Sequence, residues 1–190
     1  LMRRTRLGSE CSGPCSERYS TMDVMINNEG RLAVPISDEE IRVVVEAVLA
    51  ADGVERPCNV SVSIVDSEAI RRLNASWRGI DAPTDVLSFE CDALDDETIP
   101  ADEPVELGDV ILCPSVIEAQ APEFNSSFAA EFRLMLVHGV CHLLGFDHID
   151  PEEARSMEAR ELEILRDLAV QRGDDPDMVA IGPTTSHSND

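Results

Sequence analysis

The segment Phe128–Asp150 reads FAAEFRLMLVHGVCHLLGFDHID and contains three of the four histidines of the chain, His138, His142 and His148. His138 and His142 are four residues apart, so on a helix they lie on one face, one turn from each other. Gly145 follows them and tolerates the left-handed conformation in which many helices end. The turn after Gly145 can return His148 to the same face. The segment therefore predicts a helix whose end brings three imidazole groups together.

Three converging imidazoles are the ligand set of a catalytic zinc site, in which the fourth position stays open for water. A single histidine on an apolar helix is usually a packed or surface residue, and two at this spacing are often a coincidence. Three histidines with a helix-ending glycine between the second and the third are hard to explain by packing alone. The pattern therefore favours one Zn2+ per chain, held by His138, His142 and His148.

The spacing His-x3-His-x2-Gly-x2-His is also that of the metzincin proteases, which carry a glutamate directly after the first histidine as the general base. In this chain that position is Gly139. A peptidase would therefore lack its local base, which argues against peptide hydrolysis. We interpret Gly139 as a residue that leaves space beside the metal for a bulky substrate.

Length, charge and cysteine content limit the compartment and the partners. The 190 residues are enough for one domain with a core, and no long apolar run or secretory signal is visible, so we expect a cytoplasmic protein with no membrane partner. The formal net charge of -23 repels nucleic acid, so a nucleic-acid function needs a local group of arginines. The six cysteines are scattered along the chain, which argues against a disulfide framework.

Three of the cysteines bear on metal binding. Cys11 and Cys15 form a Cys-x3-Cys pair in a polar segment, which is a weak metal or redox signal, and we interpret them as free thiols. Cys141 lies next to the histidine pair and could in principle approach the metal as a fourth ligand. Because buried free cysteine usually behaves as a small hydrophobic residue, we predict that Cys141 packs on the flank of the helix.

The remaining patterns predict a single α+β domain, with a small mixed sheet of about four strands covered by helices and a zincin-like metal helix. Alternating or apolar runs predict strands at Asp23–Asn27, Cys58–Val65, Thr84–Phe89 and Leu107–Cys113. Capping residues and helical spacing predict helices at Asp38–Ala51, from Asp66 or Ser67 to Gly79, around Ser115–Ala121, from an N-cap at Asn125 or Ser126 through the histidines, and from Asp150 to about Arg172.

Several segments carry narrower predictions. Ile70, Leu73 and Trp77 are spaced as the buried side of the helix that ends at Gly79. Residues 90–106 contain eight acidic residues and no basic residue, which is typical of a solvated loop. We divide the chain into a flexible extension at residues 1–22, the folded domain at 23–172 and a disordered tail at 173–190, in which His187 has no assigned role.

The block HGVCHLLGFDH at 138–148 resembles the signature of the YbeY family of bacterial metal-dependent endoribonucleases. Two other blocks fit the family in the same order: LNASWRG at 73–79 with PTDVLSF at 83–89, and LGDV at 107–110. The resemblance covers roughly residues 23–172, and the family usually has a bulky apolar residue where this chain has Cys141.

The resemblance implies a single-strand-specific endoribonuclease that matures ribosomal RNA, especially the end of the small-subunit RNA, and that takes part in ribosome quality control. Its partners would be ribosomal RNA and, with it, the ribosome or small-subunit proteins. It also implies zinc on His138, His142 and His148 and a functional role for Arg78. We interpret Arg78 as a substrate-binding and catalytic residue that neutralises the negative charge developing on the cleaved phosphate.

The general base is left open among three carboxylates. Asp147 lies beside His148 and is our tentative choice, either as the base or as a residue that orients a ligand imidazole. Asp85 and Asp109 are alternatives, although a carboxylate at a strand end serves equally well to cap backbone amides.

Two other functions are compatible with the sequence. A zinc-dependent hydrolase of another substrate fits the histidine spacing and the acidic charge. A non-enzymatic ribosome-assembly factor with a structural zinc is the second, although structural zinc sites are usually closed by four protein ligands, mostly including cysteine. Loss of zinc in a Cys141→Ala variant would be the sign of such a closed site.

Overall fold

One four-stranded mixed sheet organises the fold in the computed structural model, which describes residues 22–148, 150–182 and 184. The strands are β1 (Met22–Asn27), β2 (Cys58–Ile64), β3 (Val86–Glu90) and β4 (Val105–Leu112), and their order in the sheet is β1-β2-β4-β3. The pairs β1–β2 and β2–β4 are parallel, whereas β3 runs antiparallel to β4 at one edge. The predicted α+β class, with about four strands in a mixed sheet, is confirmed.

Within the described part of the chain, five α-helices accompany the sheet. They are α1 (Asp38–Ala51), α2 (Ser67–Trp77), α3 (Pro114–Gln120), α4 (Phe128–Leu143) and α5 (Pro151–Arg172), with short 3-10 helices at Ala121–Phe124 and Pro176–Met178. None of these helices is long and apolar enough to cross a membrane.

Capping residues set most of the helix starts. The Ser37 hydroxyl accepts a hydrogen bond from the Glu40 backbone N–H, and the Asp150 carboxylate accepts one from the Glu152 N–H, as the capping patterns predict. The predicted cap of the histidine helix was wrong by one or two positions. Ser127 caps α4 by accepting from the Ala130 N–H, because Asn125 already adopts a left-handed conformation, with φ of 53°, that ends the preceding 3-10 helix.

The helix α4 lies in the middle of the core. Eleven of its 16 residues are buried, including Phe132, Met135 and Leu136, because β3 and β4 contact one side of the helix while α1, α3 and α5 contact the others. A helix packed on several sides is apolar around most of its circumference. The segment that carries the histidines is therefore fixed by the whole core.

The helix α2 covers the opposite face of the sheet from α4, where Ile70 packs with Leu87 and Cys113. The prediction that Trp77 belongs to the buried side of α2 is wrong, because the Trp77 residue is 71% exposed. The last turn of α2 instead buries Asn74, whose side-chain amide donates to the Ala82 carbonyl at 2.8 Å. Asn74 thus holds the segment that follows the helix.

The acidic segment between β3 and β4 is held in place by one arginine. The Arg56 guanidinium donates to the backbone carbonyls of Leu94, Asp96, Ile99 and Pro100 at 2.7–3.2 Å. The side chains of Leu94 and Ile99 also pack against the core. The prediction of a solvated loop over 90–106 is therefore wrong in two respects. Its first residue and its last two residues belong to β3 and β4, and its centre is bound to Arg56 and to the core.

The C-terminal segment also differs from its prediction where the structure describes it. We expected disorder over 173–190, but the 3-10 helix Pro176–Met178 follows α5, and Val179 and Ile181 pack against the core. The extension at 1–22, with Cys11 and Cys15, lies outside the described residues except for Met22, and His187 also lies outside them.

Candidate metal centre

The end of α4 forms a turn that carries the chain back over the helix. Gly145 is left-handed, with φ of 84°, as its position predicts. Its backbone N–H donates to the His142 carbonyl at 2.9 Å, and the Phe146 N–H donates to the Cys141 carbonyl at 3.1 Å. This pair of hydrogen bonds satisfies two carbonyls at the helix end and fixes the direction of the chain that leads to His148.

The three histidines predicted from the sequence come together. Their ring centroids are 4.6 Å apart for His138 and His142, 5.0 Å for His142 and His148, and 5.3 Å for His138 and His148. One ring nitrogen from each lies within 4.8 Å of the other two, so the group could hold a metal ion.

The distance between two of these nitrogens supports this interpretation. His138 Nε2 and His142 Nε2 are 3.2 Å apart. Two nitrogens bound to one tetrahedral zinc at about 2.0–2.1 Å would lie about 3.3 Å from each other. The donor set and its spacing therefore fit a metal bound through Nε2 of these two residues.

A buried carboxylate that the sequence analysis missed anchors the first histidine. Glu161 Oε1 lies 2.7 Å from His138 Nδ1, and Glu161 is 0% exposed. When the carboxylate accepts from Nδ1–H, the lone pair of Nε2 points to the candidate metal position, which is the usual arrangement around metal-bound histidine. The sequence contains a signal for this residue, because Glu161 is charged and lies in an otherwise apolar stripe of α5. The other residues of the stripe include Ala154, Met157, Ile164 and Leu168.

The surroundings of His142 favour its metal-binding form. Burial lowers the pKa of His142 from 6.5 to about 4, and repulsion from His138 and His148 adds to the shift, against smaller opposing effects of a backbone hydrogen bond at Phe146 and the charge of Asp147. Imidazole must be neutral to bind a metal. His142 is therefore ready to act as a ligand at neutral pH.

Cys141 packs as predicted and does not join the histidines. The residue is 0% exposed within the main hydrophobic core, and burial raises the pKa of its thiol. Metal binding requires the thiolate, which this environment disfavours. Of the residues that the structure describes, only the three histidines form the candidate ligand group.

The interpretation of Gly139 as space for a substrate is wrong. A Cβ atom at Gly139 would lie 2.6 Å from Val110 Cγ1, 3.1 Å from Val86 Cγ2 and 3.2 Å from Ser88 Oγ. The Ser88 hydroxyl also donates to the Gly139 carbonyl at 2.9 Å. The glycine thus allows α4 to approach β3 and β4 closely, and the glutamate of the metzincin pattern has no room at this position.

The structure separates the three candidate bases. Asp85 is 3% exposed and accepts hydrogen bonds from the Thr84 hydroxyl, the Val86 N–H and the Gln120 amide, so both of its carboxylate oxygens are engaged. Asp109 alternates with Val110, which faces Gly139, and therefore points to the sheet face opposite α4.

Of the three candidate bases, Asp147 is the one that contacts a histidine of the group. It is exposed, and its Oδ1 accepts a hydrogen bond from the His148 backbone N–H at 2.7 Å. This contact holds the turn that carries the third histidine.

Arg78 lies at the C-terminal end of α2. Its backbone N–H donates to the Asn74 carbonyl at 2.9 Å, and the residue is exposed. Unlike Arg71 and Arg72 on the same helix, its guanidinium forms no ion pair with a described residue. The surface ion pair that would explain Arg78 without a substrate is thus missing from the described part of the chain.

Comparisons with known proteins show what the whole chain is similar to. A family model described as endoribonuclease YbeY matches residues 25–169. The endoribonuclease YbeY of Exiguobacterium sp. is 36% identical over 156 residues, which cover 80% of this chain and 99% of that protein. The endoribonuclease YbeY of Moorella thermoacetica is 40% identical over 157 residues, covering 80% of this chain and 100% of that protein. The solution structure of a Thermotoga maritima protein is similar at 25% identity with a TM-score of 0.53, over 84% of this chain and 98% of that chain.

Proposed function

This chain belongs to the endoribonuclease YbeY family, and from that premise we propose that it is a metal-dependent endoribonuclease that cleaves single-stranded RNA during ribosomal RNA maturation. The observation that carries the proposal is the group His138, His142 and His148, in which a buried carboxylate anchors the first ligand. Processing of the small-subunit RNA end, ribosome quality control, contact with small-subunit proteins and a cytoplasmic location belong to the same proposal.

We assign one Zn2+ per chain to the three histidines. Three nitrogen ligands with no described cysteine or carboxylate among them leave a position open, as in catalytic rather than structural zinc sites. When bound, the ion supplies a Lewis acid that polarises a phosphoryl oxygen and lowers the pKa of a water molecule.

Residues around the three histidines hold them in position and in the right protonation state for metal binding. Glu161 fixes the ring of His138, and burial keeps His142 neutral. Asp147 holds the backbone of His148 and is the exposed carboxylate nearest in sequence to a ligand, so it is our choice for accepting a proton from the nucleophile.

In a chain with a net charge of -23, binding of a phosphate requires a local positive charge, and three arginines lie close together in the sequence. Arg71, Arg72 and Arg78 lie within eight residues of α2 and the position after it. Glu68 and Asp81 pair with the first two, which leaves Arg78 as the guanidinium available to a phosphate. A planar guanidinium can bind two phosphate oxygens at once, and we assign that contact to Arg78.

The first experiment measures metal content and cleavage of a single-stranded RNA together, for the wild type and His142→Ala. We expect about one zinc per chain and cleavage for the wild type, and the loss of both in the variant. Cys141→Ala serves as the matched control, because a packing residue in the same helix should lose neither. If the wild type binds metal and leaves RNA intact, the endoribonuclease proposal fails, and hydrolysis of small molecules becomes the next assay.

A second experiment separates the phosphate contact from the metal site. Arg78→Glu should abolish cleavage and leave the zinc content unchanged, because the residue lies outside the ligand group. Arg155→Glu, an exposed arginine on α5, is the control for the change of charge alone. Cleavage that persists in Arg78→Glu would show that the assigned role is wrong.

A further inference from the structure

Trp77 is the single tryptophan of the chain, and its exposure is unusual. The residue is 71% exposed, and the other large hydrophobic residues with comparable exposure in the described ranges, Met25, Val170 and Met178, are aliphatic or thioether side chains. A tryptophan this exposed contributes little to the core. Such a side chain calls for a binding partner more than an exposed aliphatic residue does.

The indole ring has a fixed support. Its centroid lies 5.5 Å from that of Phe89 on β3, and the two ring planes are inclined by 60°. The tilted contact restrains Trp77 while most of the residue stays exposed. A flat aromatic surface that is already restrained loses little conformational entropy when a ligand stacks on it.

The arginines beside the ring indicate the kind of ligand that it binds. Arg78 follows Trp77 directly, and Arg72 on the same helix is 63% exposed at its side chain. The neighbouring Ser76 and Gly79 are exposed and carry no apolar side chain, which disfavours an apolar protein partner. A π surface next to guanidinium groups is the combination that binds single-stranded nucleic acid, with bases on the ring and phosphates on the arginines.

The edge strand β3 connects this ring with the helix that carries two of the metal ligands. Phe89 supports Trp77 on one face of the sheet. The preceding residue, Ser88, donates to the carbonyl of Gly139 on the other face. Gly139 is the residue directly after the ligand His138. Phe89, which contacts the indole, is thus the direct neighbour of Ser88, which contacts the helix that carries His138 and His142.

We propose that Trp77 stacks on a base of the single-stranded RNA substrate and, with Arg78, holds the strand across the β3 edge next to the metal centre. The inference rests on the proposed endoribonuclease function and adds the residue that recognises an unpaired base. A base within a duplex is already stacked on its neighbours, so the contact also favours single-stranded over double-stranded RNA.

The single tryptophan makes the contact directly measurable. The probe is a 2′-O-methyl oligouridine of about eight nucleotides, a length in the range that single-strand sites cover, and its integrity is checked on a gel after the titration. Titration into the zinc-loaded protein should quench the Trp77 fluorescence to saturation, whereas a duplex of the same length should cause much less quenching. Quenching without cleavage also separates binding from the proposed chemistry.

Variants then test whether the ring provides affinity. With a dye-labelled oligouridine followed by anisotropy, Trp77→Ala should bind at least about fivefold more weakly, since stacking on an aromatic residue is worth roughly 5- to 150-fold per base. Trp77→Phe should recover most of the affinity. Val170→Ala removes an exposed side chain on α5 and should change nothing. In cleavage assays, Trp77→Ala should raise KM more than it lowers kcat.

Three results would overturn the proposal. Binding of the labelled oligouridine without any change in Trp77 fluorescence would place the RNA elsewhere and leave the endoribonuclease function intact. Equal affinity of the wild type and Trp77→Ala would show that the ring does not contribute. A lower melting temperature of Trp77→Ala with no rescue by Trp77→Phe would make the residue structural. If no single-stranded RNA binds at all, the proposed function fails with the inference.

Discussion

His138 Nδ1 lies 2.7 Å from Glu161 Oε1, and this contact joins the two long helices α4 and α5 inside the core. His138 is 4% exposed and Glu161 is 0% exposed. A buried carboxylate is costly unless it is hydrogen-bonded, and a metal-ligating histidine needs one nitrogen held by an acceptor. The pair meets both needs at once, so the anchoring of the ligand and the packing of the helices depend on the same contact.

Glu161→Gln should weaken zinc binding by about 10- to 100-fold, because the amide is a weaker acceptor for the His138 N–H than the carboxylate. Competition with a chromophoric chelator measures this affinity. Asp167→Asn makes the same chemical change at an exposed position of α5 and should leave the affinity as it is. An unchanged affinity in Glu161→Gln would mean that the carboxylate does not orient the ligand.

Gly139→Ala should destabilise the protein, because the added methyl would lie 2.6 Å from Val110 Cγ1 in a packed interface. Overpacking of this kind costs about 1–3 kcal/mol, partly offset by a gain of about 1 kcal/mol when alanine replaces glycine within a helix. Urea denaturation gives the free energy of unfolding. The double variant Gly139→Ala with Val110→Ala should recover stability relative to the sum of the single changes, and simple additivity would contradict the predicted clash.

Arg56→Ala should loosen the acidic segment between β3 and β4, since four backbone carbonyls lose their shared donor. We expect faster hydrogen exchange and faster proteolysis within residues 92–104, while the zinc content stays the same. Arg56→Lys should not restore protection, because an ammonium group lacks the planar fork of a guanidinium. Arg155→Ala is the control, and equal exchange rates in both variants would refute the anchoring role.

The metal-free protein should lose stability as the pH falls from about 6.5 to about 4. The pKa of His142 is about 4 in the folded state, below its ordinary 6.5, so the unfolded chain takes up the proton first. Above pH 6.5 neither state binds this proton and the contribution vanishes. Over this pH range the protonation of His142 lowers the free energy of unfolding by about 3 kcal/mol in total. His142→Gln should flatten this part of the curve of unfolding free energy against pH, and an unaltered slope would show that His142 does not cause it.

Local patterns predicted the elements whose causes are local. Ser37, Asp150 and Gly145 act on their own backbone neighbours, and the helix ends they predict are confirmed. The histidine spacing works in the same way, since one helical turn sets His138 and His142 on one face and Gly145 turns the chain that carries His148. All of these features depend on residues that are close in sequence, and none depends on the sheet.

Features that depend on distant residues escaped prediction. The exposure of Trp77 depends on how α2 packs on the sheet, and helical spacing carries no information on that packing. Gly139 owes its role to Val110 and Val86 on two strands far along the chain. Glu161 is the intermediate case, because its position in the apolar stripe of α5 was visible but its partner lay 23 residues away.

The division of the ligands between a helix and a turn has a kinetic consequence. His138 and His142 belong to a buried helix and keep their spacing whether or not an ion is present, whereas His148 follows Gly145 on a turn that is only partly buried. We expect an incoming ion to meet the rigid pair first and the third imidazole to close afterwards. The rate of zinc release should then depend on the opening of residues 144–148, so stiffening this turn would lengthen the residence time of the ion more than it speeds loading.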